Sequence, residues 1–257
     1  MKDRIDFIVG GIQKCGTTSL YRLLRQHPRL VGSSPKEPQF FSRHRRYNFS
    51  DEDITAYHRA WLEEGQDFQP DKLYFEASPD SCFLHYRDKQ QLFDPLPLVK
   101  RYNPEIKIIM VFRDPVERFY SEWRMRRRVH SEGKPWGTAE PFADFFAGAQ
   151  ATWLRRGYQR ILYHGCYTSI VTRLLKLFPR QSVLFLKPDD VIDDLAEIER
   201  FLGVEPHSYR AIGSAPQKYG LADLPPEIAA KLRSFYLSEI QGLGALTDLD
   251  FADWLDV

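Results

Sequence analysis

The chain has 257 residues, with 36 Lys and Arg against 35 Asp and Glu and a net charge of +1. That balance speaks against a protein that coats nucleic acid through a general basic excess, and 43% hydrophobic and 14% aromatic residues exclude a disordered chain. The 3 cysteines, Cys15, Cys82 and Cys166, form no CxxC pair and cannot build a disulfide framework, which points to a reducing compartment and no structural zinc.

Arg4 to Val9 reads as a short buried strand, Gly10 to Gly16 as a glycine-containing turn, and Thr17 to Gln26 as a helix. Leu20, Leu23 and Leu24 share one face of that helix, and His27-Pro28 ends it. Leu73 to Glu76 is a second strand. Ile106 to Phe112 is an apolar run of strand length broken by Lys107, and Arg113-Asp114-Pro115 opens a helix to about Arg128, with Pro115 in its first turn. Ser131 to Pro141 is rich in Gly and Pro and reads as a loop. Cys166 to Phe178 is an amphipathic helix stopped by Pro179, Ser182 to Leu186 a buried strand, Leu195 to Leu202 a helix, and Ala211 to Pro226 irregular.

Strands alternating with helices predict an α/β fold: a single domain over residues 1–257, with a mainly parallel central sheet flanked by helices. No apolar run reaches the roughly 7–15 residues of a secretory core or the ~20 of a membrane span. The expectation is a soluble cytoplasmic protein with neither membrane nor nucleic-acid partner.

Three segments carry chemistry. The first is Gly11-Ile12-Gln13-Lys14-Cys15-Gly16-Thr17-Thr18-Ser19. Glycines let backbone approach an anion, and N–H groups opening the next helix point at phosphate with the helix dipole behind them. The glycines are spaced as in nucleotide triphosphatases, but Thr17 stands at the lysine position and Lys14 lies inside the loop. This P-loop-like reading competes with a glycine-rich turn that binds nothing. The second segment is Phe112-Arg113-Asp114-Pro115-Val116-Glu117-Arg118-Phe119-Tyr120-Ser121. Arg113 ends a strand where ligands of open α/β sheets bind, its guanidinium suits a phosphate dianion, and Ser121 offers a hydroxyl about two turns on. The competing reading is a surface bridge from Arg113 to Asp114 or Glu117. The third is Pro35-Lys36-Glu37-Pro38-Gln39-Phe40-Phe41. Two prolines stiffen it, the aromatic pair can anchor it, and a carboxylate so held is a candidate general base. The competing reading is a solvated Lys-Glu pair.

Other residues divide the same way. Cys15 reads as a spacer or packing residue rather than a redox group. Arg124, Arg126, Arg127 and Arg128 form either a solvated helix end or an electropositive rim. Trp123, Trp136, Phe142, Phe145 and Phe146, in or beside the 131–150 stretch, either line an acceptor pocket or form core.

Taken in order and at their spacing, the three segments resemble the sulfotransferases that use 3′-phosphoadenosine 5′-phosphosulfate (PAPS). The resemblance is greatest to the heparan sulfate N- and 3-O-sulfotransferase branch and its bacterial relatives. Lys14 to Thr18 is similar to that family's 5′-phosphosulfate loop, Arg113 to Arg118 with Ser121 to its 3′-phosphate motif, and Lys36 to Phe41 to the segment carrying its catalytic glutamate. Gly165 to Pro179, Val183 to Leu186 and Phe201 to Val204 are similar to its later helix-strand-helix unit.

The resemblance implies in-line transfer of a sulfuryl group from PAPS to a hydroxyl or amine of a carbohydrate or small-molecule acceptor, releasing 3′-phosphoadenosine 5′-phosphate (PAP) without a metal. It implies Glu37 as base and Lys14 as the cation facing the leaving phosphate. Lys14, Cys15, Gly16, Thr17, Thr18 and Ser19 would meet the 5′ end of the donor, Arg113 and Ser121 the 3′-phosphate, and Lys218 and Tyr219 the nucleotide. Other branches use histidine as base, and His44, near Phe40-Phe41, is the best placed of the histidines here.

Two departures are visible. Glu76-Ala77-Ser78-Pro79 has Ala77 where the family often has a lysine near substrate, and Ser214 to Gly220 lacks the cysteine pair of the glycan enzymes. Both point away from a heparan-like acceptor and towards an intracellular bacterial enzyme with another one. Two other classes compete. A P-loop kinase-like phosphotransferase would want Lys at position 17 and a magnesium-binding Asp. A non-catalytic nucleotide- or glycan-binding module would keep the phosphate loop without needing Glu37.

Overall fold

The computed structural model describes residues 3–44, 48–86, 92–156, 159–187, 194–212 and 224–255. Two compact units emerge, Met1–Phe112 with Arg173–Pro216, and Arg113–Thr172 with Gln217–Val257. The chain opens with β1 (Phe7–Gly11), α1 (Thr17–Leu24), β2 (Leu30–Gly32), α2 (Phe40–Arg43), α3 (Asp51–His58) and β3 (Leu73–Glu76). It continues with β4 (His85–Tyr86), β5 (Leu92–Phe93), α4 (Leu96–Tyr102), β6 (Lys107–Val111), α5 (Pro115–Ser131), α6 (Phe142–Arg156) and α7 (Arg160–Tyr163). It closes with α8 (Tyr167–Leu177), β7 (Val183–Leu186), α9 (Leu195–Leu202), α10 (Pro226–Gln241) and α11 (Gly244–Thr247).

In the first unit, β2, β3, β1, β6 and β7 lie in that order in one parallel sheet, and β4 pairs with β5 separately. Every residue of β1 is buried, as a strand covered on both faces requires. Phe7 sits opposite Phe75 on one side and Lys107 on the other. The rings of Phe7 and Phe75 stack at 4.7 Å. The apolar face of α1 is the one its spacing predicts, with Leu20, Leu23 and Leu24 buried.

The first strand lies further along the chain than Arg4 to Val9. Gly10 and Gly11, read from sequence as turn, still belong to it, and Gly11 pairs with Met110 across an irregularity in register. The cause is crowding: a Cβ on Gly10 would collide with the Cys82 sulfur. Glycine is the residue that lets the strand continue there.

The sheet has a point where the chain changes direction. After β1 the chain runs to β2, on one side, whereas after β6 it runs to β7, on the other. Ligands of open α/β sheets bind at the carboxyl ends of such a strand pair. The Gly11–Gly16 loop leaves the sheet at that edge. Because the strands are parallel, the residues following β2 and β3 leave at the same edge.

In the second unit, Phe142, Phe145 and Phe146 of α6 pack on Phe119 of α5, at 5.9, 5.6 and 6.0 Å between ring centroids. Their spacing is helical, so this part of the 131–150 stretch is a core helix rather than loop. Arg118 is fully buried and its Nη2 donates to the Ile161 carbonyl at 2.5 Å.

Among the described residues, no helix is long and apolar enough to cross a membrane, and no group of three or more His, Cys, Asp or Glu is arranged to hold a metal ion. Lys218 and Tyr219, with most of the irregular Ala211 to Pro226 stretch, lie outside the described residues.

Candidate functional site

The loop between β1 and α1 is shaped by two left-handed residues, Lys14 at φ 74° and Gly16 at φ 91°. The Ile12 amide donates to Val111 O at 2.9 Å and the Cys15 amide to Ile12 O at 3.0 Å, tying the loop to the sheet and to itself. A non-glycine residue at positive φ is uncommon and persists where its surroundings impose it. Gly16 is the N-cap of α1. It has no side chain to close the helix end, and no acidic residue stands in the first turn. The leading N–H groups of α1 therefore lack an internal cap and retain the positive end of the dipole, the arrangement an anion occupies. Thr17 and Cys15 are buried, Lys14 and Ser19 half-buried and Thr18 exposed. Burial of Cys15 agrees with a packing role.

Glu37 sits in a loop held from both sides. The Lys36 carbonyl accepts from Ser33 Oγ at 3.0 Å and from the Ala77 amide at 3.1 Å. Beyond Glu37, the Gln39 amide donates to Ser78 Oγ at 3.4 Å, and Gln39 is left-handed at φ 56°. Phe40 and Phe41 do anchor the loop: Phe40 stacks on Tyr57 at 4.4 Å, and Phe41 is fully buried. Glu37 Oε1 lies 2.6 Å from Lys36 Nζ, with side-chain exposures of 37% and 20%. The Lys-Glu pair is thus present, but half-buried on a fixed backbone rather than free in solvent.

The sequence drew attention to Glu76-Ala77-Ser78-Pro79 through Ala77, and the structure gives Glu76 the larger part. Glu76 ends β3 with no solvent exposure. Its carboxyl accepts from Tyr57 Oη at 2.8 Å and from Ser81 Oγ at 3.1 Å. Burial pushes its pKa up to about 7. The hydroxyls of Tyr57, Ser81 and Ser78 act in the opposite direction, and the charge of Glu37 adds to the rise. An apolar strand ending in Glu is the sequence signal. Its partner Tyr57 is 19 residues earlier, which no local pattern reveals.

In the second unit, Arg113 Nε donates to Glu117 Oε2 at 2.9 Å, so the surface-bridge reading of Arg113 describes the pairing observed. The Arg113 carbonyl accepts from Tyr167 Oη at 2.7 Å. Asp114 caps α5: its Oδ1 accepts from the amides of Val116 at 2.7 Å and Glu117 at 3.2 Å. Its Oδ2 lies 2.7 Å from Arg233 Nη1, an ion pair by distance in which the nitrogen is not aimed as a hydrogen-bond donor. Ser121 is buried on the same helix.

The arginine run on α5 is engaged locally. Arg126 pairs with Glu122 and donates to Trp136 O, Arg127 donates to Ala139 O, and Arg128 lies 3.7 Å from Glu132. Trp123 donates to Glu140 O, and Trp136 is about half exposed at 49%. His44 Nε2 lies 2.7 Å from the Asn48 carbonyl and so carries a proton, which ill suits that nitrogen to act as a base.

The profile of the Sulfotransferase domain matches residues 4–212. The chain is 32% identical over 215 residues to human bifunctional heparan sulfate N-deacetylase/N-sulfotransferase 3, covering 78% of this chain and 22% of that one. It is 31% identical over 147 residues to mouse carbohydrate sulfotransferase 15, covering 46% and 26%. It therefore spans about a quarter or less of the length of these curated relatives. The crystal structure of a sulfotransferase from Alicyclobacillus acidocaldarius superposes with a TM-score of 0.72 at 25% identity, over 98% of this chain and 99% of that one. A parallel sheet with a glycine-containing loop after its first strand and a held carboxyl side chain after its second accompany a family profile that covers most of the chain, and the chain belongs to the sulfotransferase-domain family.

Proposed function

We propose that the protein transfers a sulfuryl group from PAPS to a hydroxyl or amino group of a carbohydrate acceptor. One observation carries the reading. The uncapped end of α1 with Lys14, and the anchored carboxylate of Glu37, leave the same edge of one sheet. An anion site and a base at one edge are what transfer from a charged donor needs.

PAPS supplies a sulfuryl group activated as an anhydride with phosphate. Glu37 takes the acceptor proton as the acceptor oxygen or nitrogen bonds to sulfur, and the bond from sulfur to the 5′-phosphate breaks with its electron pair left on PAP. Positioned bases of this kind contribute about 10²–10⁴-fold. Lys14 and the first N–H groups of α1 face the charge growing on the leaving phosphate, already oriented before reaction. Thr17, Thr18 and Ser19 add hydroxyl donors. Arg113 and Ser121 hold the 3′-phosphate, the group that separates PAPS from ATP. Lys218 and Tyr219 extend the nucleotide contacts. The names of the curated relatives support a carbohydrate acceptor. Ala77, buried and with its amide on Lys36 O, offers no cation to that acceptor, which favours one other than heparan.

The test has two parts. Calorimetric titration without metal is expected to give tight binding of PAP and weak binding of ADP. Equal binding, or a magnesium requirement, would favour a kinase-like enzyme instead. PAP release from PAPS is then counted with a panel of N-deacetylated heparosan, chitosan oligosaccharide and a neutral oligosaccharide. With the best acceptor, Glu37→Gln is expected to lower kcat by about 10²–10⁴-fold while PAP affinity holds. Turnover near wild type would remove Glu37 as base.

A further inference from the structure

β2 and β3 run side by side, with Gly32 opposite Phe75, and the residues after each strand leave the sheet together. They remain joined there. Ser33 N donates to Phe75 O at 2.9 Å and Ala77 N to Lys36 O at 3.1 Å, while Gln39 N donates to Ser78 Oγ at 3.4 Å. The last two bonds bracket Glu37, one residue before it and two after. Gln39 occupies the left-handed region, where a side chain with a Cβ is disfavoured, so the backbone after Glu37 needs an outside hold.

The Ser78 oxygen can accept from Gln39 only if its own proton points elsewhere. Two residues before it, the Glu76 carboxyl ends β3 and accepts from two other hydroxyls. Ser78 and Glu76 are both fully buried, so water does not compete. Tyr57 and Ser81 fix the carboxyl itself, at 2.8 and 3.1 Å. Tyr57 also stacks on Phe40, three residues after Glu37, and so links Glu76 to the same loop. A buried carboxyl surrounded by hydroxyls is an expensive way to end a strand if packing were its whole purpose.

We propose that Glu76 and Ser78 are positioning residues for Glu37: the Ser78 oxygen holds the Gln39 amide, Glu76 holds Tyr57 against Phe40, and the two holds together fix the direction of the Glu37 carboxylate. This rests on the reading of Glu37 as base. Neither residue touches donor or acceptor, and their effect passes through Glu37.

A double-mutant cycle tests the route, with PAP release from PAPS measured on the panel acceptor of highest rate. Ser78→Ala is expected to lower kcat about tenfold and leave the PAP Kd within about twofold of wild type. In a Glu37→Gln background the same substitution is expected to change kcat by less than about twofold, because the group it positions is gone. Glu76→Gln keeps the shape and runs as a second cycle with the same expectation, so a poorly folding Ser78→Ala does not end the test. Unchanged kcat in both Ser78→Ala and Glu76→Gln, or equal losses in both backgrounds with Glu37→Gln itself slow, would overturn the positioning role and leave the base reading standing. Glu37→Gln at wild-type rate, or a panel with no acceptor at all, would overturn both.

Discussion

Two strand-loop-helix turns in this chain meet the same problem in opposite ways. Each helix begins with N–H groups that its own ladder cannot satisfy. At α1 the cap is Gly16, without a side chain to offer, and the first turn carries no acid. At α5 the cap is Asp114, which accepts from two amides, and Glu117 adds a negative charge in the first turn. The first helix end therefore has no side-chain cap, and the second is closed by the chain itself. An anion near α5 has to be met by side chains, and Arg113 and Ser121 are the ones the motif provides. The difference teaches that a strand followed by a helix start does not define a phosphate site. The cap decides whether backbone or side chain does the binding.

Asp114 offers the largest way to break this comparison. It closes the helix and sits against Arg233, both almost wholly buried. Asp114→Ala leaves a buried guanidinium without its carboxylate and strips the cap, an expected loss of about 3–5 kcal/mol in urea unfolding. Asp114→Asn keeps an acceptor for the Val116 amide and is expected to be less damaging by ~1 kcal/mol. Equal losses from the two would mean that the cap contributes nothing and that α5 owes its start to Pro115 and packing.

Legibility in the sequence followed the same division between local and distant causes. Leu73 to Glu76 and Leu195 to Leu202 have the bounds that their patterns predict. The apolar runs at 106–112 and 182–186 contain β6 and β7. β2 has only three residues after His27-Pro28, too few for any period to register. α6 carries its apolar residues at helical spacing, but the Gly- and Pro-rich stretch just before it, Ser131 to Pro141, hides where the helix starts. In the candidate site, Lys14 to Thr18 and Arg113 lie where expected strands give way to helices, which spacing places, whereas Ser121 lies inside α5 and Glu37 in the loop after β2. The Glu76 network has no local signal, because its partner Tyr57 lies 19 residues earlier in the chain. Arg118, charged and within the second motif, is completely buried, which no local pattern signals.

The open cap at α1 can be probed with less disruption. Gly16→Ala puts a Cβ at φ 91°, an expected cost of ~1–2 kcal/mol in stability. Gly133→Ala, at φ 73° with open space around it, meets the same backbone penalty outside the Gly11–Ser19 loop and is the matched control. Both variants are expected to melt earlier by a similar amount, while Gly16→Ala alone weakens PAP several-fold. If the two variants bind PAP equally well, the N–H groups behind Gly16 do not face the ligand.

The smallest effect concerns the closed turn. Arg113 and Glu117 form an i,i+4 pair at 2.9 Å with side chains 17% and 28% exposed. Such a pair is worth about 0.3–0.5 kcal/mol, and a phosphate approaching Arg113 must share the guanidinium with a resident carboxylate. Glu117→Gln removes that competitor and its charge. PAP affinity is expected to rise about twofold, a free energy near that of the pair. Adenosine 5′-phosphate, which lacks the 3′ group, is expected to bind as before, and calorimetry on the two ligands separates a local effect from a general one. Equal gains for both ligands would mean that Glu117 acts through long-range charge and says nothing about Arg113. A loss of PAP affinity would reverse the role of the pair: Glu117 would then be holding the Arg113 fork in the orientation a phosphate needs, and the closed turn would be as pre-organised for an anion as the open one.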